Sequence, residues 1–185
     1  MRERKFRKPR SPKRVFLVIC EGETEKTYVE TLKHHFRLPI TIKYKVVGNK
    51  INNRLLAQFI NELGVDKDDY KVFFIYDGDV ENIVEKLRPL QGELIISNPC
   101  IELWYLLHNK DFFGPSNPED ILKSLIKSSQ EWTGYEKGRL SVRQKDIVLG
   151  NYENARNRAI NLRWPENPST NMYEFIESLK NEKKR

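Results

Sequence analysis

The chain has 185 residues, 38% of them hydrophobic and 32% charged, which gives room for one good-sized core beneath a polar surface. Its longest strictly apolar run, VFLVIC (15–20), falls far short of the ~20 residues a bilayer span needs, and Cys20 and Cys100, the only two cysteines, form no CxxC pair. The net charge of +7 is concentrated at one end, where residues 1–14 carry eight Lys or Arg against Glu3 alone and leave the remainder in balance.

These features exclude a disulfide or zinc framework and a membrane-spanning segment, and they point to a reducing, cytoplasmic setting. Residues 1–14 contain no apolar core, and no small-residue cleavage site follows VFLVIC, so no secretory signal is expected. The basic arm suits contact with a polyanion, where each Lys or Arg laid on a phosphate releases a counterion; it is equally compatible with a solvated tail.

In chain order, VFLVIC reads as a strand covered on both faces. Residues 24–36 follow as a helix, with Tyr28, Val29, Leu32 and Phe36 at helical spacing. ITIKYKVVG (40–48) alternates as a strand and ends at a glycine. Leu55, Leu56, Phe59, Ile60 and Leu63 mark a helix closed by Gly64. VFFIYD (72–77) is a second buried strand run, followed by a helix from Val80 to Leu87 that Pro89 ends. ELIIS (93–97) is a fourth strand, and Pro99 to His108 is again helical. This alternation predicts an α/β fold with a four-stranded parallel sheet and helices on both faces.

Residues 110–185 lack apolar strand runs and predict a helical extension packed on the core. Helices are expected around Leu122–Ile126, over 152–163 and over 172–180, with a loop-rich stretch around Gly134, Gly138 and Gly150. The organisation is therefore a basic arm (1–14), an α/β core (15–109) and a helical extension (110–185), forming one domain.

Open parallel sheets bind ligands outside the carboxyl ends of their strands, and here three of those ends are polar. Glu21, Glu23 and Glu25 follow the first strand; YDGD places Asp77 and Asp79 after the third; SNPCIE delivers Glu102 after the fourth. Each has a plain reading when taken singly. Asp-Gly is a turn signal and Asp79 can cap the next helix, while Glu25 can complement a helix dipole. Glu102 lies in PCIELWYLL, where a buried carboxylate requires a metal, a basic partner or a shifted pKa. Gathered on one edge, such carboxylates suit Mg²⁺ or Mn²⁺.

The segments CEGETEKTYVETL, YDGD, SNPCIELWYLLH and NPSTN together resemble the RloB-like (AbiLii-like) family of the Toprim superfamily, over Val15 to Leu179. The resemblance implies a Toprim-like parallel core and a Mg²⁺-dependent nuclease acting in bacterial anti-phage defence or abortive infection, with an ATPase partner encoded nearby. It assigns Glu21, Asp77 and Asp79 as catalytic and metal-binding residues and Glu25 and Glu102 as secondary candidates. Gly78 stands where the family more often has a bulkier, frequently basic residue, and Ile101 where phenylalanine is usual. The competing reading is a nucleic-acid-binding or regulatory subunit with a degenerate or structural metal site.

Nucleic acid is the expected partner, through Arg10, Lys13, Arg14, Arg139, Arg143 and Lys145, with Arg156, Arg158 and Arg163 adding basicity; a solvated helical face accounts equally well for the last two groups. His108 reads as a core histidine, and His34 and His35 as surface residues without a third metal ligand. No P-loop, GxSxG or HExxH motif is present, which excludes the ATPase, serine hydrolase and zinc hydrolase chemistries those motifs carry. Asn171 with Glu174 reads as a cap for the last helix. The sequence leaves open DNA versus RNA, the number of metals and the oligomeric state.

Overall fold

The computed structural model describes residues 14–80 and 82–183. Four strands, β1 (Val15–Cys20), β2 (Thr41–Val46), β3 (Tyr70–Asp77) and β4 (Glu93–Asn98), pair in parallel in the order β2-β1-β3-β4. The expected parallel core is thus present. The sheet has a fifth member, however: the two-residue β5 (Ser169–Thr170) pairs antiparallel to β4, so the sheet is mixed. Two residues carry no periodicity, which is why the sequence reading misses this strand.

Between and after the strands lie α1 (Glu23–Phe36), α2 (Asn53–Asn61), α3 (Ile83–Leu87), α4 (Glu102–Leu107), α5 (Pro118–Ile126), α6 (Val142–Gly150), α7 (Tyr152–Ile160) and α8 (Met172–Lys183). Helix α6 occupies part of the stretch expected to be loop. Ser141 starts it, its hydroxyl accepting the Gln144 N–H while the Gln144 side chain accepts the Ser141 N–H. This reciprocal cap compensates for a weakly apolar sequence.

The strands alternate their side chains between two cores. Phe16, Val18, Phe73, Ile75 and Ile95 meet α1, α4 and the helices of the C-terminal third, including Trp132, Tyr152, Phe175 and Leu179. Leu17, Ile19, Phe74, Tyr76 and Ile96 meet the smaller layer of α2 and α3. The C-terminal third therefore completes the core on one face of the sheet.

Asn171 has a larger role than capping. Its Oδ1 accepts the Ile96 N–H and its Nδ2 donates to the Leu94 carbonyl and to Glu174, so the side chain prolongs the β5 pairing along β4. Among the described residues, no helix is long and apolar enough to cross a membrane.

Candidate functional site

Four carboxylates converge at the carboxyl edge of the sheet, each anchored through one oxygen. Glu21 ends β1, its N–H still in the ladder with Ile75, and its Oε2 accepts the Asp77 N–H at 2.9 Å. Glu25 turns back from the first turn of α1, and its Oε2 accepts the Gly22 N–H at 2.8 Å. The half-buried Asp77 closes β3, and its Oδ1 accepts the Ile101 N–H at 2.8 Å, just ahead of α4. Glu102 opens α4 with 1% of its surface exposed, and its Oε1 accepts the Tyr135 hydroxyl at 3.1 Å.

The second oxygen of Glu102, Oε2, is buried with no hydrogen-bond partner among the described residues. Lys137 Nζ lies 3.8 Å from it, an ion-pair distance but too long for a hydrogen bond. A buried carboxylate oxygen without a hydrogen bond is destabilising, and Lys137 offsets that cost only through space.

The electrostatics agree. Burial raises the pKa of Glu25 to about 7 against the pull of the Gly22 N–H, with Glu102 and Glu21 adding repulsion. Burial, followed by the charges of Glu25, Glu102 and Glu21, holds Asp77 well above the ordinary aspartate range, opposed by the Ile101 N–H. Glu21 is also raised by burial; the Asp77 N–H and Lys137 act against that shift and the charge of Asp79 adds to it. For Lys137, burial works against the ammonium, but Glu102, Cys100, Asp77 and Glu25 outweigh it and the pKa rises.

The two aspartates of YDGD differ. Asp79 lies beyond the end of β3, its N–H held by the Pro99 carbonyl at 3.2 Å and its side chain exposed at the rim. Gly78 between them is required by a close approach: a Cβ there would lie 2.7 Å from Asn98 Cβ and 3.0 Å from Asn98 Cα. Asn98 in turn donates from Nδ2 to the Pro165 carbonyl, tying the DGD corner to the C-terminal third.

Several basic candidates are engaged elsewhere. Arg10 and Lys13 lie outside the described residues. Arg14 is paired with Glu182 of α8 at 2.8 Å, which links the start of β1 to α8. Arg156 pairs with Glu177, and Arg158 with the Leu107 carbonyl and Asp111, so both hold helices together. Arg139 is exposed, 3.7 Å from Glu136; Arg143 is exposed and Lys145 half-buried on α6; Arg163 is exposed. His108 is buried, its Nδ1 2.8 Å from the Trp104 carbonyl, and burial lowers its pKa to about 4. His34 and His35 are exposed on α1.

The sequence reading missed Tyr135 and Lys137 as site residues. Both stand in YEKGRLSVRQK, whose basicity was visible, but no spacing rule links them to Glu102 across thirty-odd positions. Among the described residues, no group of three or more His, Cys, Asp or Glu side chains is placed closely enough to hold a metal ion as they stand. The donor chemistry nevertheless fits a hard divalent cation: the set is all oxygen, and one buried oxygen has no partner. A protein-family model described as RloB-like protein matches residues 16–179. No curated protein and no solved structure matches the chain.

Proposed function

The chain belongs to the RloB-like family, and on that premise we propose that it is a divalent-metal-dependent nuclease of Toprim type, hydrolysing phosphodiesters in bacterial anti-phage defence together with an ATPase partner. The observation that carries the enzymatic part is the buried Oε2 of Glu102, without a hydrogen-bond partner among the described residues, beside Glu25 and Asp77, whose pKa values burial and the neighbouring carboxylates raise. The defence role and the ATPase rest on the family resemblance.

Asp77 and Glu102, with Glu21 and the rim residue Asp79, are the side chains that would hold Mg²⁺ or Mn²⁺. Bound there, the ion supplies Lewis-acid polarisation of a phosphoryl oxygen and lowers the pKa of water. The protein's own groups do the rest. Ile101 and Tyr135 hold Asp77 and Glu102 in place through the hydrogen bonds described above, and the Asp77 N–H holds Glu21. Glu21 is half-buried, so water reaches it, and its raised pKa suits a carboxylate that accepts a proton from water. Glu25, bonded to the Gly22 N–H, fixes the turn from β1 into α1 and adds negative charge behind the others.

The test is Mg²⁺-dependent cleavage of nucleic acid by the wild type, by Asp77→Ala and by Glu21→Ala, with EDTA as control. Loss of cleavage in both variants is expected; full activity in both ends the proposal. The Lys137–Glu102 contact favours a second reading, in which the ammonium is the permanent counter-charge and the protein is a nucleic-acid-binding subunit without chemistry. Nucleic-acid binding with no cleavage under any divalent cation would establish that reading instead.

A further inference from the structure

The loop between Trp132 and α6 is fastened at both ends over the carboxylates. On one side, Trp132 is buried and stacked on Tyr105 of α4, with centroids 5.6 Å apart and rings 15° from parallel, and Tyr135 donates to Glu102. On the other, Gly138 donates its N–H to Thr24 Oγ1 at 3.0 Å and accepts from Thr27 Oγ1 at 2.8 Å, both on α1. Gly138 has φ +81°, a conformation that side-chain-bearing residues avoid, so the chain turns sharply there. Lys137 lies between the two fastenings.

We infer that Lys137 is the substrate-phosphate contact of the carboxylate site, a role that rests on the nuclease reading and specifies how that site receives a polyanion. Three observations support it. Lys137 reaches Glu102 Oε2 only at 3.8 Å, too long for a hydrogen bond, so that carboxylate oxygen does not take up the ammonium's N–H donors. Its side chain is 53% exposed while Glu102 is 1% exposed, which puts the ammonium at the mouth and the carboxylate at the floor. Finally, four carboxylates repel a phosphodiester, and a cation held at their entrance by a doubly fastened loop offsets that repulsion without further ordering. Lys137 transfers no proton in this role; it binds and orients.

The test uses the full chain and a fluorescently end-labelled single-stranded DNA oligonucleotide, followed by anisotropy across a salt series, with Ca²⁺ in place of Mg²⁺. Lys137→Met is expected to weaken binding by about tenfold and to lower the slope of log affinity against log salt by about one, while Lys137→Arg keeps most of both. Thermal melting checks that each variant folds, and if the methionine variant does not, Lys137→Gln takes its place. Wild-type affinity and slope in the folded methionine or glutamine variant overturn the inference, as does a wild type that binds no oligonucleotide. Calorimetry with Mn²⁺ on the wild type and Asp77→Asn reads the carboxylate proposal separately. If Mn²⁺ binding is absent, or unchanged by Asp77→Asn, the metal reading falls while the anisotropy result still decides the role of Lys137.

Discussion

Residues 15–109 and residues 110–183 contribute opposite things to one edge of the sheet. The first region delivers every carboxylate of the site, because β1, β3 and β4 all end at that edge and each ends in, or leads within a few residues to, an acid. The second delivers a hydroxyl, an ammonium and a backbone carbonyl: Tyr135 to Glu102, Lys137 beside Glu102, and Pro165 to Asn98. A stretch that reads as an appended helical layer therefore holds the site as well as the core. The regions that supply charge and the regions that restrain it need not be neighbours in sequence.

The largest expected effect tests whether the two regions are one folding unit. Trp132 is fully buried in the core that also contains Phe16 and Phe73, and it stacks on Tyr105. Trp132→Ala is expected to destabilise the whole chain by about 3–5 kcal/mol, seen as one denaturant transition moved to lower midpoint by both circular dichroism and intrinsic fluorescence. Two separated transitions, with the sheet's midpoint unmoved, would break the comparison by making the C-terminal third an independent unit.

The second effect concerns pH. Glu25 is an ordinary glutamate in the unfolded chain, at 4.5, and is raised to about 7 in the fold. The native state therefore binds more protons between those values, and stability is greatest at the acidic end and falls as pH rises through the window, by up to about 3 kcal/mol for this group. Asp77 shifts in the same direction. The midpoint of urea unfolding should thus be lower near neutral pH than near pH 5. Added Mn²⁺ at a hundredfold its dissociation constant should return about 2.7 kcal/mol at neutral pH. A midpoint that rises with pH across the window, or that ignores Mn²⁺, contradicts the electrostatic picture of the first region.

Legibility in the sequence divides along the same line. Strands β1 and β3 were readable because burial on both faces demands continuous apolar runs, as in VFLVIC and VFFIYD, and their ends because acids interrupt those runs, whereas the half-exposed β2 was readable by its alternation. Helices with clear apolar spacing, such as α1 and α8, were readable for the same reason. Strand β5 was not, since its place depends on Asn171 and on a Thr170–Ser97 hydroxyl pair, neither of which leaves a pattern. Nor were Tyr135 and Lys137, whose importance comes from a loop fastened through backbone groups of Gly138 to two threonines. The difference between Asp77 and Asp79 was not legible either, because it depends on where β3 ends, and β3 ends at Asp77.

A third prediction tests the link between the regions at the DGD corner. Gly78→Ala places a methyl group against the backbone and Cβ of Asn98, and the Cα at 3.0 Å cannot swing aside as a side chain would. The expected loss is about 1–3 kcal/mol, together with weakened Mn²⁺ binding as Asp77 and Asp79 shift. Asn98→Ala in the same background should recover little, because the backbone and Cβ of residue 98 still meet the new methyl group, whereas Asn98→Gly should recover part. Full stability of Gly78→Ala would show that the corner is loosely held and that Asn98 does not transmit the position of Pro165 to it.

The smallest effect isolates one bond between the regions. Tyr135→Phe removes the hydroxyl that Glu102 Oε1 accepts and leaves both oxygens of a buried carboxylate without a hydrogen-bond partner, at an expected cost of about 1–2 kcal/mol in denaturant unfolding. The phenylalanine keeps the ring packing with Tyr105 and Trp132, so the apolar surroundings are held nearly constant. In a Glu102→Gln background the same substitution should cost less, because a neutral amide is less destabilised than a carboxylate when its donor is lost. The difference between the two measurements is the coupling between a hydroxyl of the helical region and a charge of the strand region. Equal costs in both backgrounds would mean that the Tyr135 hydroxyl is not coupled to the charge of Glu102, and that Glu102 is held by α4 without help from the C-terminal third.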